Sequence, residues 1–312
     1  MKIIDHDDIV DMNLDPLLFF EWIEESFSHK VDSILPAKIH ITLPDNRFFN
    51  FMPCVIPELD IMGIKNVNRY PTRTPALDSQ IMIYDYSTGT LKAIIDGNFI
   101  TTMRTGAVAA HSIGLFAKKN AETIGIMGLG NTARATLDIL LRMYPSRKFR
   151  IKLLKYKGQE KSFADRYKDN ENVEFCTCDN YDDLVSDSDV LLSCVTYLSD
   201  DVCTEEKFPK GCTVIPVHTR GFMCCDTTFD KVFVADTNHV KGFKNFNEFK
   251  NLTEVISVVN GEKKGRESDE ERILVYNVGI SLHDMFFAWK IMNMVNSTKK
   301  MEMLPPTKKH WV

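Results

Sequence analysis

The sequence predicts an α/β protein: a Rossmann-type doubly wound parallel sheet joined to a smaller, mainly antiparallel α+β domain. Two patterns and one motif carry this reading. From Thr123 to about Gly279, short β-branched runs alternate with amphipathic segments, as in a parallel sheet covered by helices. The first hundred residues instead hold strand-like runs separated by Pro, Asn and Gly turns, the pattern of an antiparallel sheet. Where the parallel pattern begins, the run Thr123 to Met127 feeds Gly128-Leu129-Gly130-Asn131-Thr132-Ala133, a Gly-x-Gly-x-x-Ala turn opening a helix.

In chain order, strands are expected at Lys38 to Leu43, Phe48 to Cys54, Asp60 to Asn68 and Gln80 to Asp85, followed by a connecting helix from Thr102 to Lys118. The parallel sheet draws on Thr123 to Met127, Phe149 to Leu154, Val173 to Cys176, Val190 to Val195, Thr213 to Val217, Lys231 to Val234 and Ile273 to Tyr276. Thr132 to Met143 has an apolar helical face and stops at Tyr144-Pro145. Ile280 to Asn296 is again helical and follows the last strand, so it is expected to return to the first domain; the Lys- and Pro-rich tail from Ser297 has little to bury. The domains are set at 1–113, completed by 285–312, and 114–284. No internal repeat is visible.

A chain of 312 residues, 44% of them hydrophobic, can bury a sizeable core. Its net charge of −5 comes from 38 basic and 43 acidic residues mixed along the chain, which recommends neither nucleic acid nor an anionic membrane as partner. No apolar run approaches the roughly 20 residues of a membrane span, and the acidic start lacks the order of a signal peptide, so a cytoplasmic location is expected. The eight cysteines read as reduced thiols, and neither Cys176-Thr177-Cys178 nor Cys224-Cys225 has the spacing of a zinc site, so no metal is expected.

The glycine turn has a mechanical reading. Gly128 permits the tight turn, Gly130 lets backbone N–H groups approach a pyrophosphate, and Ala133 lets the helix pack close to its strand. Asn131 and Thr132 stand in the first turn, where the helix dipole favours phosphate. Such glycines also serve packing alone. The tip of the second strand, Leu154-Lys155-Tyr156-Lys157-Gly158, carries no acid for a ribose 2′-OH. Lys155 and Lys157 favour NADP(H) over NAD(H), with Tyr156 as an adenine-stacking face; two solvated loop lysines are the alternative.

Four segments together resemble the ornithine cyclodeaminase and mu-crystallin family. Phe51-Met52-Pro53 with Gly63-Ile64-Lys65-Asn66-Val67-Asn68 is similar to its substrate-site strand pair, and Arg104-Thr105-Gly106-Ala107 to its Arg-Thr-Ala-Ala segment. Gly128 to Arg134 resembles its dinucleotide turn, and Val275 to Gly279 with His283-Asp284 its closing strand and helix. The resemblance implies that Arg104 and Lys65 bind a substrate carboxylate, with Asn50, Met52 and Thr219 nearby. It also implies that Thr105, Val195, Thr196, Val278 and Gly279 touch a nicotinamide cofactor. Physical chemistry agrees: a carboxylate in a dry cleft must be paired, Arg does so bidentately, and a buried Lys suits carboxylate binding or proton delivery. A surface salt bridge for Arg104 and an edge position for Lys65 are the plainer readings.

Where the family's cyclodeaminases place an acid after the strand Thr213 to Val217, this chain has His218-Thr219-Arg220, and Asn50 stands where ornithine-specific members carry Glu. The implied function is therefore an NAD(P)-dependent oxidoreductase acting on a small amino or imino acid, with Lys65 or His218 moving the proton; His218 can equally brace a loop. Two alternatives stay open: an ornithine-cyclodeaminase-like lyase recycling NAD, for which Asp226 or Asp236 would have to supply the acid, and a non-catalytic NADPH-dependent binding protein. Relatives pair their first domains, which implies a homodimer.

Overall fold

The computed structural model describes residues 1–196, 198–296, 299 and 301. In chain order it contains β1 (Lys2–Ile4), α1 (His6–Val10), α2 (Pro16–Ser28), β2 (Ile39–Leu43), β3 (Arg47–Ile56), β4 (Ile61–Arg69), β5 (Leu77–Asp85), β6 (Leu91–Asp96) and α3 (Gly97–Phe116). There follow β7 (Thr123–Met127), α4 (Asn131–Met143), β8 (Phe149–Leu154), α5 (Gln159–Asp165), β9 (Val173–Cys178), α6 (Tyr181–Val185), β10 (Val190–Ser193), β11 (Thr213–Pro216), α7 (Met223–Thr228), β12 (Lys231–Val234), β13 (Thr253–Glu254), α8 (Val255–Val259), β14 (Ile273–Tyr276) and α9 (Ser281–Met294).

The chain divides into two compact units. The first joins Met1–Leu14, His29–Thr101 and the chain from Ser281 onward; the second joins Asp15–Ser28 and Thr102–Ile280.

In the first unit, six strands run in the order β1-β6-β5-β4-β3-β2. All neighbours are antiparallel except β1 on β6, where Lys2 pairs Ala93 and Ile4 pairs Ile95 in parallel. The pleat sends alternate residues to one buried face: Asn50, Met52, Cys54 and Ile56 on β3, Lys65 and Val67 on β4, Ile81 and Ile83 on β5. Helix α9 covers this face. A Cβ at Gly63 would lie 2.1 Å from the Met82 carbonyl oxygen of β5 and 2.6 Å from the Met285 methyl of α9, and the backbone contact is the one that requires glycine there. The Ser281 hydroxyl donates to the Pro53 carbonyl at 2.7 Å, fixing where α9 begins. Beyond it, the tail from Ser297 lies outside the described residues except for Lys299 and Met301.

In the second unit, eight parallel strands run in the order β13-β12-β14-β11-β10-β7-β8-β9. The order reverses between β7 and β10, the switch point of a doubly wound sheet. Its apolar strands are buried on both faces, as Val190, Leu191 and Leu192 show. Helix α2, unanticipated in the sequence reading, also belongs to this unit and buries Phe19, Trp22, Ile23 and Phe27. Phe20 and Phe27 flank the His111 ring of α3 at 5.7 and 5.5 Å. Among the described residues, no helix is long and apolar enough to cross a membrane.

Candidate functional site

The glycine turn sits at the switch point of the parallel sheet. Gly128 follows β7 with φ +78, and a Cβ there would lie 2.4 Å from the Cys194 carbonyl carbon and the Val195 nitrogen. Both its conformation and its contact with the end of β10 therefore require glycine. Gly130 differs. Its φ of −84 is ordinary, and a Cβ there would meet nothing within 4 Å. Protein packing does not ask for glycine at 130. Helix α4 starts here with no side-chain cap and no acid in its first turn, which leaves its N-terminal end electrostatically open to an anion. These residues fit a dinucleotide.

Arg104 is 6% exposed, and its guanidinium lies against the backbone after β14: a Cβ at Gly279 would fall 2.2 Å from Nη1 and 2.7 Å from Nη2. Two sequence-predicted residues, one read as substrate-binding and one as cofactor-binding, thus meet. Gly106, two residues on, brings α3 against α4, since a Cβ would lie 2.6 Å from the Ala135 methyl and 2.8 Å from the Thr136 nitrogen. Arg104 is therefore carried on a helix that is locked to the one opening at the glycine turn. Thr105 between them is half-buried, Val278 is buried and Thr196 is exposed.

His218 follows β11, and its Nε2 shares a hydrogen bond of 2.6 Å with the hydroxyl of Ser193, the fully buried last residue of β10. Burial pushes the imidazole down to about 4, against the pull of the Arg220 backbone, so the ring is neutral at pH 7. Thr219 and Arg220 are exposed. The two carboxylates considered as replacements for the lost loop acid are already engaged. Asp226, 1% exposed, accepts from the Tyr276 hydroxyl at 2.7 Å and from Asn245 at 3.2 Å, and burial raises it to about 6 against those bonds. Asp236 accepts from the Asn238 N–H at 2.8 Å and caps a turn.

At the tip of β8, Lys155 pairs with Asp179 at 2.6 Å, and the Lys157 ammonium lies 5.1 Å from the centre of the half-exposed Tyr156 ring. Neighbouring chain thus already offers a carboxylate to one of the two lysines.

In the first unit, Lys65 stands on β4 directly across from Met52 on β3 and Ile81 on β5. It is 1% exposed, and its ammonium donates to Asp284 Oδ1 of α9 at 2.6 Å, with both side chains 1% exposed. The strand-edge alternative is thereby excluded. Asn50 is buried on the same face, with Oδ1 2.6 Å from Nδ1 of His40. Burial and the nearby Asp284 push the Cys54 thiol up. Asp284 is the residue that sequence reasoning left without a role. Its signal was present as a carboxylate within the apolar helical run Leu282 to Met292, an acid that burial forces to find a cation.

A model of the ornithine cyclodeaminase/mu-crystallin family matches residues 9–221. The chain belongs to this family. Among individual relatives, it is 24% identical over 263 residues to a Δ1-pyrroline-2-carboxylate reductase of Bacillus cereus, covering 76% of this chain and 78% of that one. Among solved structures, it superposes with a TM-score of 0.82 and 22% identity on the Thermococcus litoralis Δ1-pyrroline-2-carboxylate reductase in complex with NADH and L-proline, over 94% of this chain and 97% of that one. An archaeal alanine dehydrogenase dimer with bound NAD gives a TM-score of 0.84 at 19% identity, over 97% and 99% of the two chains. At these identities the likeness establishes a shared fold across almost the whole length.

Proposed function

We propose that this chain is a nicotinamide-dependent oxidoreductase that reduces the C=N bond of a small α-imino acid, or runs the reverse reaction as an amino-acid dehydrogenase. The observation that carries the reading is the buried Arg104 guanidinium against Gly279, within a unit whose glycine turn suits a dinucleotide. A buried guanidinium meets a carboxylate in charge and in shape. The family relatives named above act on or bind substrates with a carboxylate beside a carbon–nitrogen bond.

The cofactor's diphosphate is assigned to Gly128, Gly130, Asn131, Thr132 and Ala133, its riboses to Val195, Thr196 and the segment Lys155-Tyr156-Lys157, and its nicotinamide end to Thr105, Val278 and Gly279. When bound, it supplies or accepts the hydride at the substrate α-carbon. Arg104 binds the carboxylate, Lys65 serves the reacting nitrogen, and Asn50, Met52 and Thr219 shape the choice of side chain. His218, neutral at pH 7, is a poor acid and is assigned to hydrogen bonding together with Ser193. The absence of an acid at the tip of β8 favours NADP(H), while the Asp179 partner of Lys155 weakens that preference and leaves NAD(H) compatible. The engaged Asp226 and Asp236 count against the cyclodeaminase alternative.

A homodimer fits the edge strand β2, where Ile39 and Ile41 are 58% and 43% exposed and the backbone edge calls for a partner. Sedimentation giving a monomer would remove that part. The activity is tested by mixing the protein with Δ1-pyrroline-2-carboxylate or other α-imino acids and either reduced cofactor, following nicotinamide absorbance. Consumption of reduced cofactor with appearance of the amino acid is expected. No turnover with any α-imino acid, or ammonia release from ornithine without net cofactor consumption, rejects the reading.

A further inference from the structure

We propose that Asp284 is the positioning residue of the site, holding Lys65 protonated in a place where a lone ammonium would surrender its proton. The inference rests on the reading above in which Lys65 serves the substrate nitrogen. Lys65 is sealed between β3, β5 and α9, out of reach of bulk solvation, and Asp284 Oδ1 lies 2.6 Å from its ammonium. Burial alone drives a lysine toward its neutral form; an adjacent carboxylate reverses this.

The groups facing the pair are few in kind. From β3 come Asn50, Met52 and the Cys54 thiol, itself pushed up by burial and by Asp284. From β4 and β5 come Val67, Ser79, Ile81 and Ile83, none of them ionisable near neutral pH, and α9 adds His283 beside Asp284.

The pair also balances the chemistry. Lys65 gives a proton to the lone pair of the imine nitrogen: one N–H bond of the ammonium breaks, one N–H bond of the substrate forms, and no electrons are exchanged. Positive charge moves from Lys65 to the substrate, and the Asp284 carboxyl group takes no part in the proton transfer. A proton taken up from the medium restores the ammonium, so each hydride delivered to the imine carbon is matched by one proton consumed. Without the carboxylate, burial favours the neutral amine, which has no proton to give.

The test has one readout with cofactor and one without. With cofactor and imino acid, Asp284→Asn is expected to shift the basic limb of the kcat/KM profile to lower pH by at least about one unit. Asp284→Glu is expected to lower kcat while keeping the wild-type limb. Without cofactor, the melting temperature of Asp284→Asn is expected to rise toward that of wild type between pH 7 and pH 10, as the uncompensated lysine discharges; Lys65→Met/Asp284→Asn shows no such recovery. An unshifted limb in an active, folded Asp284→Asn overturns the inference alone. If Asp284→Asn does not fold, an Asp284→Glu limb displaced like that of Lys65→Arg does the same. If wild type reduces no imino acid, the functional reading falls and takes this role with it, even where the cofactor-free stability cycle shows the pair coupled.

Discussion

The glycine turn and the Lys65–Asp284 pair are built in opposite ways. The turn is made by backbone within a few consecutive residues, and what matters at Gly128 and Gly130 is the absence of side chains. The pair is made by two charged side chains 219 residues apart, brought together only when α9 covers the first sheet. A site of the first kind is written in local sequence; a site of the second kind exists only once the fold is complete. Their vulnerabilities differ accordingly.

The sharpest way to break this contrast is at Gly128. Alanine there must adopt a left-handed conformation and push against the Cys194–Val195 backbone, so Gly128→Ala is expected to cost on the order of 3 kcal/mol of stability and to abolish detectable dinucleotide binding. Denaturant melts and a fluorescence titration with NADPH measure both, and wild-type binding by the variant would end the backbone argument.

Acid provides the next largest effect. His111 and His218 are held down to about 4 by burial, below the ordinary 6.5, so the unfolded chain takes up protons at these sites before the folded one does. Stability is complete above about pH 6.5 and falls as pH drops toward 4, by up to roughly 3 kcal/mol per histidine. Asp226, raised to about 6 from 3.8, works in the other direction and regains stability as it protonates below pH 6. In His111→Leu the loss between pH 6.5 and 4 should be smaller than in wild type; an unchanged slope in urea melts would show that the buried ring bears no such load.

Gly130→Ala tests the turn without disturbing the fold. Because the space there is open, stability should change by no more than about 1 kcal/mol, while dinucleotide affinity falls at least tenfold. Equal losses at 128 and 130 would erase the distinction between a glycine required by packing and one required by a ligand. The smallest effect is expected at Lys155→Ala, a change of about threefold or less in the ratio of NADPH to NADH affinity, since Asp179 already shares that charge.

Much of the second unit was legible. Thr123–Met127, Phe149–Leu154, Lys231–Val234 and Ile273–Tyr276 have the same bounds in pattern and in structure, because these largely buried strands read as short apolar runs bounded by polar or turn residues. The first sheet was legible in its middle and not at its margin. Lys2–Ile4 is too short to show a period, and its parallel pairing with Leu91–Asp96 is a long-range choice. Helix α2 did carry a signal, with Phe19, Trp22, Ile23 and Phe27 at helical spacing. Arg104 and Gly279 were each readable from motif, but their contact was not, since it joins residues 175 positions apart on α3 and after β14. Likewise the sequence offered Lys65 as a substrate-site or strand-edge lysine and did not name its carboxylate.

The first unit is drawn from three stretches of chain, the last of them beginning at Ser281. On the ribosome, then, the strands bearing Lys65 emerge long before the helix that neutralises it, while the parallel sheet has all its strands by Tyr276. Vectorial synthesis thus leaves the charge pair as a late closing step, one that a nascent chain ending before α9 has no means to make.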